Sequence, residues 1–224
     1  MGRLCRFMLY VPVVFALASV AIVLLFKYVP LTCTPLMVVR KIQFCGDSAY
    51  QKRQVWIPLS GVSKEAVDAI ILSEDAGFWH HKGVDVVELR RMYAAYKRGD
   101  KGLRGCSTIS QQVAKNCFTF STETCLRKVV EMYWTGLIEL IWGKERILEV
   151  YLNVAEMGYG IYGIEAAAQK YFHCTAKELS LFDGAALAVC MPQPLLSNPV
   201  YAWDEKPLKI RYLAMQLKGK GGKL

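Results

Sequence analysis

The stretch IILSEDAGFWHHKG, residues 70–83, runs from an apolar segment directly into two acids. A helix through it places one set of side chains on a single face, at the spacings i, i+3, i+4, i+7 and i+11: Val67, Ile70, Ile71, Glu74 and Phe78. Burying a carboxylate without a partner costs several kcal/mol. The pattern therefore predicts that Glu74 has a raised pKa, which suits general acid or base catalysis. The alternative is a helix that ends near Leu72, with both acids in a solvated loop.

Length and charge limit the classes of protein to which the chain can belong. Its 224 residues suffice for one sizeable domain with an appendage. Lys and Arg number 28 and Asp and Glu 19, which gives a formal net charge of +9. This excess favours an anionic partner, such as nucleic acid, a membrane surface or a phosphorylated substrate. Hydrophobic residues make up 54% and charged residues 21%, so the chain is more apolar than an ordinary soluble domain.

The N-terminus accounts for part of this apolar character. Residues 7–26 form an uncharged run of the length that a bilayer-spanning helix needs. Arg3 and Arg6 precede the run, and the positive-inside rule then places the N-terminus in the cytoplasm and the rest of the chain outside. The alternative is a cleaved signal peptide, because residues 16–18, Ala-Leu-Ala, resemble a cleavage site. The run continues to Phe26, which favours an uncleaved anchor.

Residues 28–60 are predicted to be a connector. The segment contains three prolines and has no strong helical period. Within it, residues 38–39 and 55–57 are candidates for short strands.

Capping signals predict where the helices begin. Ser63, Asp85 and Thr108 are each placed to accept a hydrogen bond from a first-turn backbone N–H, and Thr175 opens a further capped turn. A mobile glycine-rich loop is predicted at residues 99–105, and a disordered tail at residues 218–223. Further helices are predicted over residues 123–142, 145–157, 164–172 and 185–190, the first with an apolar stripe of Leu126, Val129, Val130, Tyr133, Trp134, Leu137 and Ile141.

The cysteines and histidines do not indicate a metal site. The eight cysteines lack CxxC or Cys/His metal spacing. Cys33 with Cys45, and Cys117 with Cys125, are candidates for disulfides in an oxidising compartment, or else small core residues. The chain has three histidines, and His81 taken alone is predicted to be structural.

Residues 105–116 predict an anion-binding site. A glycine-containing loop leads into a capped helix start, where backbone N–H groups and the helix dipole favour a negative ligand. Lys115 adds a cation within two turns of that start. The segment lacks the Gly-Lys-[Ser/Thr] sequence of a nucleotide P-loop, so a soluble nucleotide is not indicated. The alternative is an ordinary capped surface helix.

Two further segments offer candidate binding residues. Arg127, Lys128 and Glu131 provide two cations for phosphate and a second carboxylate, although the i, i+4 spacing of Arg127 and Glu131 is equally typical of a surface ion pair. Asn153 at a predicted helix end is a candidate sugar contact. Tyr159 and Tyr162 in the adjoining glycine-rich loop are candidates of the same kind.

Taken together and in this order, these segments resemble the glycosyltransferase family 51 domain of bacterial cell-wall synthases. Residues 74–83 match Glu-Asp-x-x-Phe-x-x-His-x-Gly, and residues 105–116 match Gly-x-Ser-Thr-Ile-x-Gln-Gln-x-x-Lys-Asn. Residues 127–131 match Arg-Lys-x-x-Glu, and residues 147–172 match the helix, glycine loop and alanine-rich helix that follow. The closing helix, residues 179–192, departs from the family pattern at Asp183, where a Glu is usual. Cys106 and Ser110 are milder departures, and Gly184 stands where a small residue is usual.

The resemblance implies a mainly α fold, with a lysozyme-like helical domain, a small membrane-proximal lobe between residues 85 and 104, and one N-terminal transmembrane helix. The implied organisation is an anchor at residues 1–27, a connector at 28–60, the glycosyltransferase domain at 61–200 and a C-terminal extension at 201–224. Transpeptidase motifs of the kind Ser-x-x-Lys and Lys-[Thr/Ser]-Gly do not occur in the sequence. A monofunctional enzyme is therefore expected, in the inner (cytoplasmic) membrane with its catalytic domain in the periplasm.

The implied activity is polymerisation of lipid II, with release of undecaprenyl pyrophosphate. The 4-hydroxyl of the acceptor GlcNAc attacks C1 of the donor MurNAc and inverts the α-linked pyrophosphate to a β-1,4 bond. The implied partners are lipid II, the growing glycan strand, membrane lipid, and proteins of division or cell-wall synthesis, with no nucleic acid.

The resemblance also assigns roles to individual residues. Glu74 matches the catalytic base. Glu131 matches a second catalytic carboxylate, which would orient the neighbouring groups or hold a divalent cation, Mg²⁺ or Mn²⁺. The expected substrate-binding set also includes three residues that hold the Glu74 turn in shape: Asp75, Phe78 and His81. Its other members are Ser107, Thr108, Gln111, Gln112, Lys115, Asn116, Arg127, Lys128 and Asn153.

Two other functions remain open from the residues. A muramidase or lytic transglycosylase also uses a Glu in a helical lysozyme-like fold, but it needs no pyrophosphate site, so the cluster of cations argues against it. A non-catalytic scaffold of the division machinery would require Glu74 and Glu131 to be dispensable.

Overall fold

The computed structural model describes residues 3–100, 105, 107–120 and 125–219 of the chain. Most of these residues are helical, as expected. The helices are α1 (Arg3–Tyr28), α2 (Pro35–Gln43), α3 (Lys64–Glu74), α4 (Val86–Lys97), α5 (Ile109–Phe118), α6 (Cys125–Ile141), α7 (Lys144–Val154), α8 (Ile164–Tyr171), α9 (Leu181–Cys190), α10 (Ala202–Glu205) and α11 (Pro207–Gly219). The strands are β1 (Arg53–Gln54), β2 (Glu156–Gly158) and β3 (Ile161–Tyr162), with a 3-10 turn at Leu59–Gly61.

The core forms where α3, α5 and α7 meet their neighbours. Helix α3 packs closely on α9 and also contacts α11, while α5 packs on α6 and α7. The contact between α3 and α9 depends on Gly184, because a Cβ atom there would lie 2.5 Å from the Cα of Ala66. The small residue expected at this position therefore has a packing reason. A small sheet of order β1-β3-β2 closes one side, with β1 parallel and β2 antiparallel to β3.

Helix α3 has the predicted cap and the predicted buried face. The Ser63 side chain accepts a hydrogen bond from Ala66 N, and Val67, Ile70 and Ile71 are buried. The helix continues to Glu74, with Asp75 as its C-cap residue. The alternative of a helix that ends near Leu72 is therefore wrong.

The segment predicted to be a connector contains helix α2, which was not predicted because of the prolines in this segment. Thr34 accepts a hydrogen bond from Met37 N and Pro35 occupies the first turn of α2, where its fixed φ and missing N–H are tolerated. The strand predicted at residues 38–39 is therefore wrong, because both residues lie within α2. The strand predicted at residues 55–57 is also misplaced, since β1 is Arg53–Gln54.

Helix α6 turns only part of the predicted stripe inward. Trp134 is buried and Val130, Leu137 and Ile141 pack against the core, whereas Leu126, Val129 and Tyr133 are exposed. The helix has apolar residues on more than one face, and one of these lies beside α1, where the rings of Phe15 and Tyr133 are 5.6 Å apart. The described residues of α6 that are buried are Glu131, Trp134, Thr135 and Ile138.

Helix α1 contains a stretch, Tyr10–Tyr28, that is long and apolar enough to cross a membrane, with a mean hydropathy of 2.2. Its second half packs on the domain. The indole Nε1 of Trp142 donates to Val23 O at 2.6 Å. Arg146 Nη2 donates to Phe26 O and Val29 O at 2.8 and 2.9 Å. These bonds fix the C-terminal end of the apolar helix to the start of α7.

Several smaller predictions need correction. Helix α9 begins at Leu181 and not at residue 185; it follows Ser180, whose capping box is completed by Asp183. The capped turn predicted at Thr175 is present, with its backbone N–H donating to Glu178. Helix α11 extends to Gly219, so the predicted tail begins in a helix, and its remaining residues lie outside the described part of the chain, as do residues 101–104 of the predicted loop. The cysteines with described side chains are all free thiols, including three that were candidates for disulfides: Cys33, Cys45 and Cys117.

Candidate active site

Glu74 stands where two cavities meet. The first cavity has a volume of about 750 Å³ and the second about 620 Å³. Both are lined by Ser73, Glu74, Gly105 and Ser107. Glu74 is half-buried and is the last residue of α3. Its carboxylate therefore faces a junction at which two ligand groups can meet.

A chain of two hydrogen bonds orients the Glu74 carboxylate. Gln112 Nε2 on α5 donates to Glu74 Oε2 at 2.9 Å, and Tyr151 Oη on α7 donates to Gln112 Oε1 at 3.1 Å. The pKa of Tyr151 is raised mainly by burial and, to a smaller extent, by the negative charges of Glu74 and Asp75. Its hydroxyl therefore keeps its proton. Because the hydroxyl donates to Oε1, the NH₂ group of Gln112 is directed towards Glu74.

Asp75, Phe78 and His81 support the turn that carries Glu74. His81 Nδ1 accepts from Gly83 N at 3.2 Å, so Nε2 carries the proton and donates to the Asp75 carboxylate at 2.9 and 3.0 Å. The same carboxylate accepts from Ile109 N at 2.9 Å. Phe78 is fully buried. These three residues therefore support the turn behind Glu74. Asp75 and His81 also line the second cavity, whereas the fully buried Phe78 lines neither cavity.

Backbone N–H groups at the start of α5 already donate hydrogen bonds to acceptors within the protein. Thr108 and Gln111 form the predicted capping box, and Thr108 Oγ1 donates to Gly83 O at 2.7 Å. Ile109 N donates to the Asp75 carboxylate, at the helix start where an anionic ligand was predicted to bind. The prediction of an anion site formed by free N–H groups of this helix is therefore wrong at these positions. The helix dipole stabilises Asp75 instead.

The side chain of Glu131 reaches the first cavity from α6. It is 3% exposed and pairs with Arg127 Nη1 at 3.1 Å and with Lys128 Nζ. Its burial rules out the alternative of a simple surface ion pair. Other predicted residues line the same cavity: Ser107, Gln111, Gln112, Lys115 and Asn116. Arg127 and Lys128 are not among the described residues that line this cavity. They are connected to it through their ion pairs with Glu131.

Comparison with known proteins decides the family. The family model described as transglycosylase matches residues 40–217. The chain belongs to the transglycosylase family.

Relatives from three organisms match most of the chain. Each is called biosynthetic peptidoglycan transglycosylase. The protein of Haemophilus influenzae (strain KW20) is 43% identical over 81% of this chain and 75% of its own length. That of Pseudomonas entomophila is 44% identical, with coverages of 86% and 80%, and that of Bdellovibrio bacteriovorus is 40% identical, with coverages of 80% and 72%. The transglycosylase expected from the sequence is therefore confirmed at the level of the family.

The described residues of the candidate site do not form a metal site from protein ligands alone. Among the described residues there is no group of three or more His, Cys, Asp or Glu side chains that would hold an ion. Both oxygens of Glu131 are already bound by cationic side chains, Arg127 and Lys128. A divalent cation at Glu131 stays a prediction, and the chemistry below does not depend on one.

Asn153, the predicted sugar contact, lines neither of the two cavities. Its side chain is buried, accepts from Ile57 N at 2.9 Å, and donates to Ile57 O and Glu149 O at 2.8 Å each. It therefore fastens the segment before α3 to α7. Tyr162 is likewise fully buried, and burial raises its pKa. Tyr159 donates to Asp47, and this hydrogen bond raises its pKa to about 12.

Sequence reasoning missed three polar residues of the candidate site. Tyr151 orients Gln112, but its local sequence does not distinguish it from the other residues of its predicted helix. Arg40 and Glu156 line the first cavity and form an ion pair at 2.9 Å. For Glu156, its position beside the glycine-rich loop was a possible signal of a site residue. Arg40 gave no such signal, since it lies in the segment predicted to be a connector.

Proposed function

We propose that this transglycosylase polymerises lipid II into linear glycan strands with Glu74 as the general base. The observation that carries the proposal is the position of Glu74 at the junction of two cavities, with Gln112 fixing one carboxylate oxygen. One cavity holds the donor chain and the other the acceptor, so that the acceptor hydroxyl meets the donor anomeric carbon beside Glu74.

The chemistry balances with the groups at hand. Glu74 accepts the proton of the GlcNAc 4-hydroxyl while the oxygen of that hydroxyl forms a bond with C1 of MurNAc. The bond between C1 and the pyrophosphate oxygen breaks, and the pyrophosphate leaves with the electron pair. The charge that develops on the leaving group is stabilised by Lys115, which is exposed and lines the first cavity, and by the Arg127–Lys128–Glu131 cluster.

The apolar surfaces support a membrane-bound substrate. Helix α1 supplies one candidate span, and its packing on α6 holds the domain against the anchor. In our proposal α1 crosses the inner membrane once, with the catalytic domain on the periplasmic side, where division or cell-wall synthesis proteins are its partners. The second cavity is bordered by α4, which carries an exposed set of apolar residues that would enter the bilayer: Val86, Val87, Leu89, Tyr93 and Tyr96.

Turnover by the purified full-length protein tests the proposal. In detergent with lipid II, we expect glycan polymer and one undecaprenyl pyrophosphate for each disaccharide added. Release of short muropeptides from finished cell wall, without polymer from lipid II, would instead identify a lytic enzyme. A folded protein with neither activity would support a scaffold.

A further inference from the structure

One wall of the first cavity lies outside the predicted motifs. Helix α2 contributes Leu36 and Arg40, and the residues after α7 contribute Ala155 and Glu156. The turn after α9 completes the wall with Met191, Pro192, Gln193 and Pro194. Among the described residues that line this cavity, Arg40 and Lys115 are the cations, and Arg40 stands alone on this wall.

The guanidinium of Arg40 is held in a fixed orientation. Nε donates to both oxygens of Glu156 at 3.0 and 3.2 Å, and Nη2 donates to Glu156 Oε2 at 2.9 Å. Nη1 donates to Gln43 Oε1 at 2.8 Å. A guanidinium carries five N–H groups, so two remain for a ligand once these partners are counted. The Arg40 side chain is 23% exposed, whereas that of Glu156 is 6% exposed.

The Glu156 side chain is also held in place by tyrosine hydroxyls. Tyr162 Oη lies 3.4 Å from Glu156 Oε1 and 3.0 Å from Tyr50 Oη, and Tyr162 is fully buried. A partly buried ion pair carries a desolvation cost that can exceed its Coulombic gain, and replacement of such a pair by apolar residues is often neutral or stabilising. Attachment of α2 to the domain does not by itself require a charged pair. The Arg40–Glu156 pair presents a pre-oriented cation to the cavity.

We propose that Arg40 is a substrate-binding residue that receives a two-oxygen anionic group of the glycan substrate. Such a group is either a carboxylate of the peptide attached to the muramyl sugar or a phosphate of the lipid pyrophosphate. Both chemistries match the planar fork of a guanidinium. The neighbouring wall favours the peptide carboxylate, because Leu36, Met191, Pro192 and the amide of Gln193 suit a peptide chain better than a diphosphate. The inference rests on the proposed function.

Three variants of the full-length protein test it. Arg40→Met removes the cation, and Arg40→Lys keeps a charge beside Glu156 but loses the fork. Lys41→Met removes one positive charge from the same helix at an exposed position that does not line the cavity. We expect the KM for lipid II to rise about tenfold or more in both Arg40 variants, since a hydrogen bond to a charged group is lost. We expect kcat to stay within about twofold, and Lys41→Met to match the wild type.

A second substrate separates the two sources of the anion. In lipid II whose peptide carboxylates are amidated, a peptide-binding Arg40 predicts that wild type and Arg40→Met have equal KM. A pyrophosphate-binding Arg40 predicts the same defect with both substrates. Either pattern supports the subsite.

Unchanged KM for both substrates in folded Arg40→Met would overturn the inference. If Arg40→Met does not fold, a wild-type KM in Arg40→Lys would overturn it. Fluorescence titration with lipid II measures the same loss of affinity without turnover. An inactive wild type that still binds lipid II through Arg40 would therefore contradict the proposed reaction and leave the subsite supported.

Discussion

Gln112 Nε2 donates a hydrogen bond of 2.9 Å to Glu74 Oε2 and so joins α5 to the last residue of α3. The amide is directed by Tyr151 on α7, so three helices fix the orientation of one carboxylate. A base that is held before the substrate arrives does not have to be ordered during the reaction. Under the proposed mechanism, the tightly packed helices behind the cleft would therefore contribute to catalysis.

Tyr151→Phe should weaken catalysis without weakening substrate binding. The change removes the donor to Gln112 Oε1, and the amide can then rotate its oxygen towards Glu74. The loss of one neutral hydrogen bond, about 1 kcal/mol, predicts a fall in kcat of about fivefold, with KM unchanged. Steady-state polymerisation kinetics measure both constants. Tyr171→Phe is the matched control, because Tyr171 on α8 does not line the cavities. Equal kcat in Tyr151→Phe and the wild type would contradict the relay.

Asp75→Ala should destabilise the fold. The carboxylate accepts bonds from His81 Nε2 and Ile109 N, and both donors are left without this acceptor in the variant. We expect the free energy of unfolding to fall by about 3 kcal/mol, measured by urea denaturation. Asp68→Asn is the control, because its partner Lys64 is largely exposed and such pairs contribute about 0–1 kcal/mol. Similar losses in the two variants would argue against a structural role for Asp75.

Glu131→Gln should lower kcat in a way that added Mg²⁺ does not restore. The buried carboxylate holds Arg127 and Lys128, and its loss releases two like charges beside the cavity. We expect kcat to fall about 100-fold, within the range for removing one group that stabilises developing charge. Glu145→Gln, at an exposed position on α7, should behave as wild type. Recovery of Glu131→Gln at high Mg²⁺ would instead identify Glu131 as a metal ligand.

Thiol labelling should separate the cysteines by burial. Cys33 and Cys45 are exposed and should react with a maleimide in the folded protein. Burial raises the pKa of the Cys117 thiol, so little reactive thiolate forms and labelling should require unfolding. Peptide mapping by mass spectrometry gives the labelled positions. A disulfide between Cys33 and Cys45, or labelling of native Cys117, would contradict the structure.

Local sequence patterns were sufficient to predict α3. The apolar spacing around Ile70 and the cap at Ser63 define α3, because both signals lie within a few turns of one another. The same holds for α5, where Thr108 and Gln111 are three residues apart.

Contacts between distant segments were not predictable in this way. Arg40 and Glu156 are 116 positions apart, and neither has a local pattern that indicates the other. Asn153 looked like a ligand residue because it is polar and ends a helix, but its partner Ile57 lies 96 positions earlier. In α6, more than one face is apolar, so periodicity alone could not tell which face contacts the core.

The most direct test of Glu74 as the base is the rate at which Glu74→Gln polymerises lipid II. Glutamine keeps the size of the side chain but cannot accept the hydroxyl proton. Glu65→Gln, at an exposed position on the same helix, controls for the loss of a carboxylate. We predict no detectable polymer from Glu74→Gln, with binding of lipid II and the melting temperature close to those of the wild type. Turnover by folded Glu74→Gln at a rate near that of Glu65→Gln would contradict the assignment.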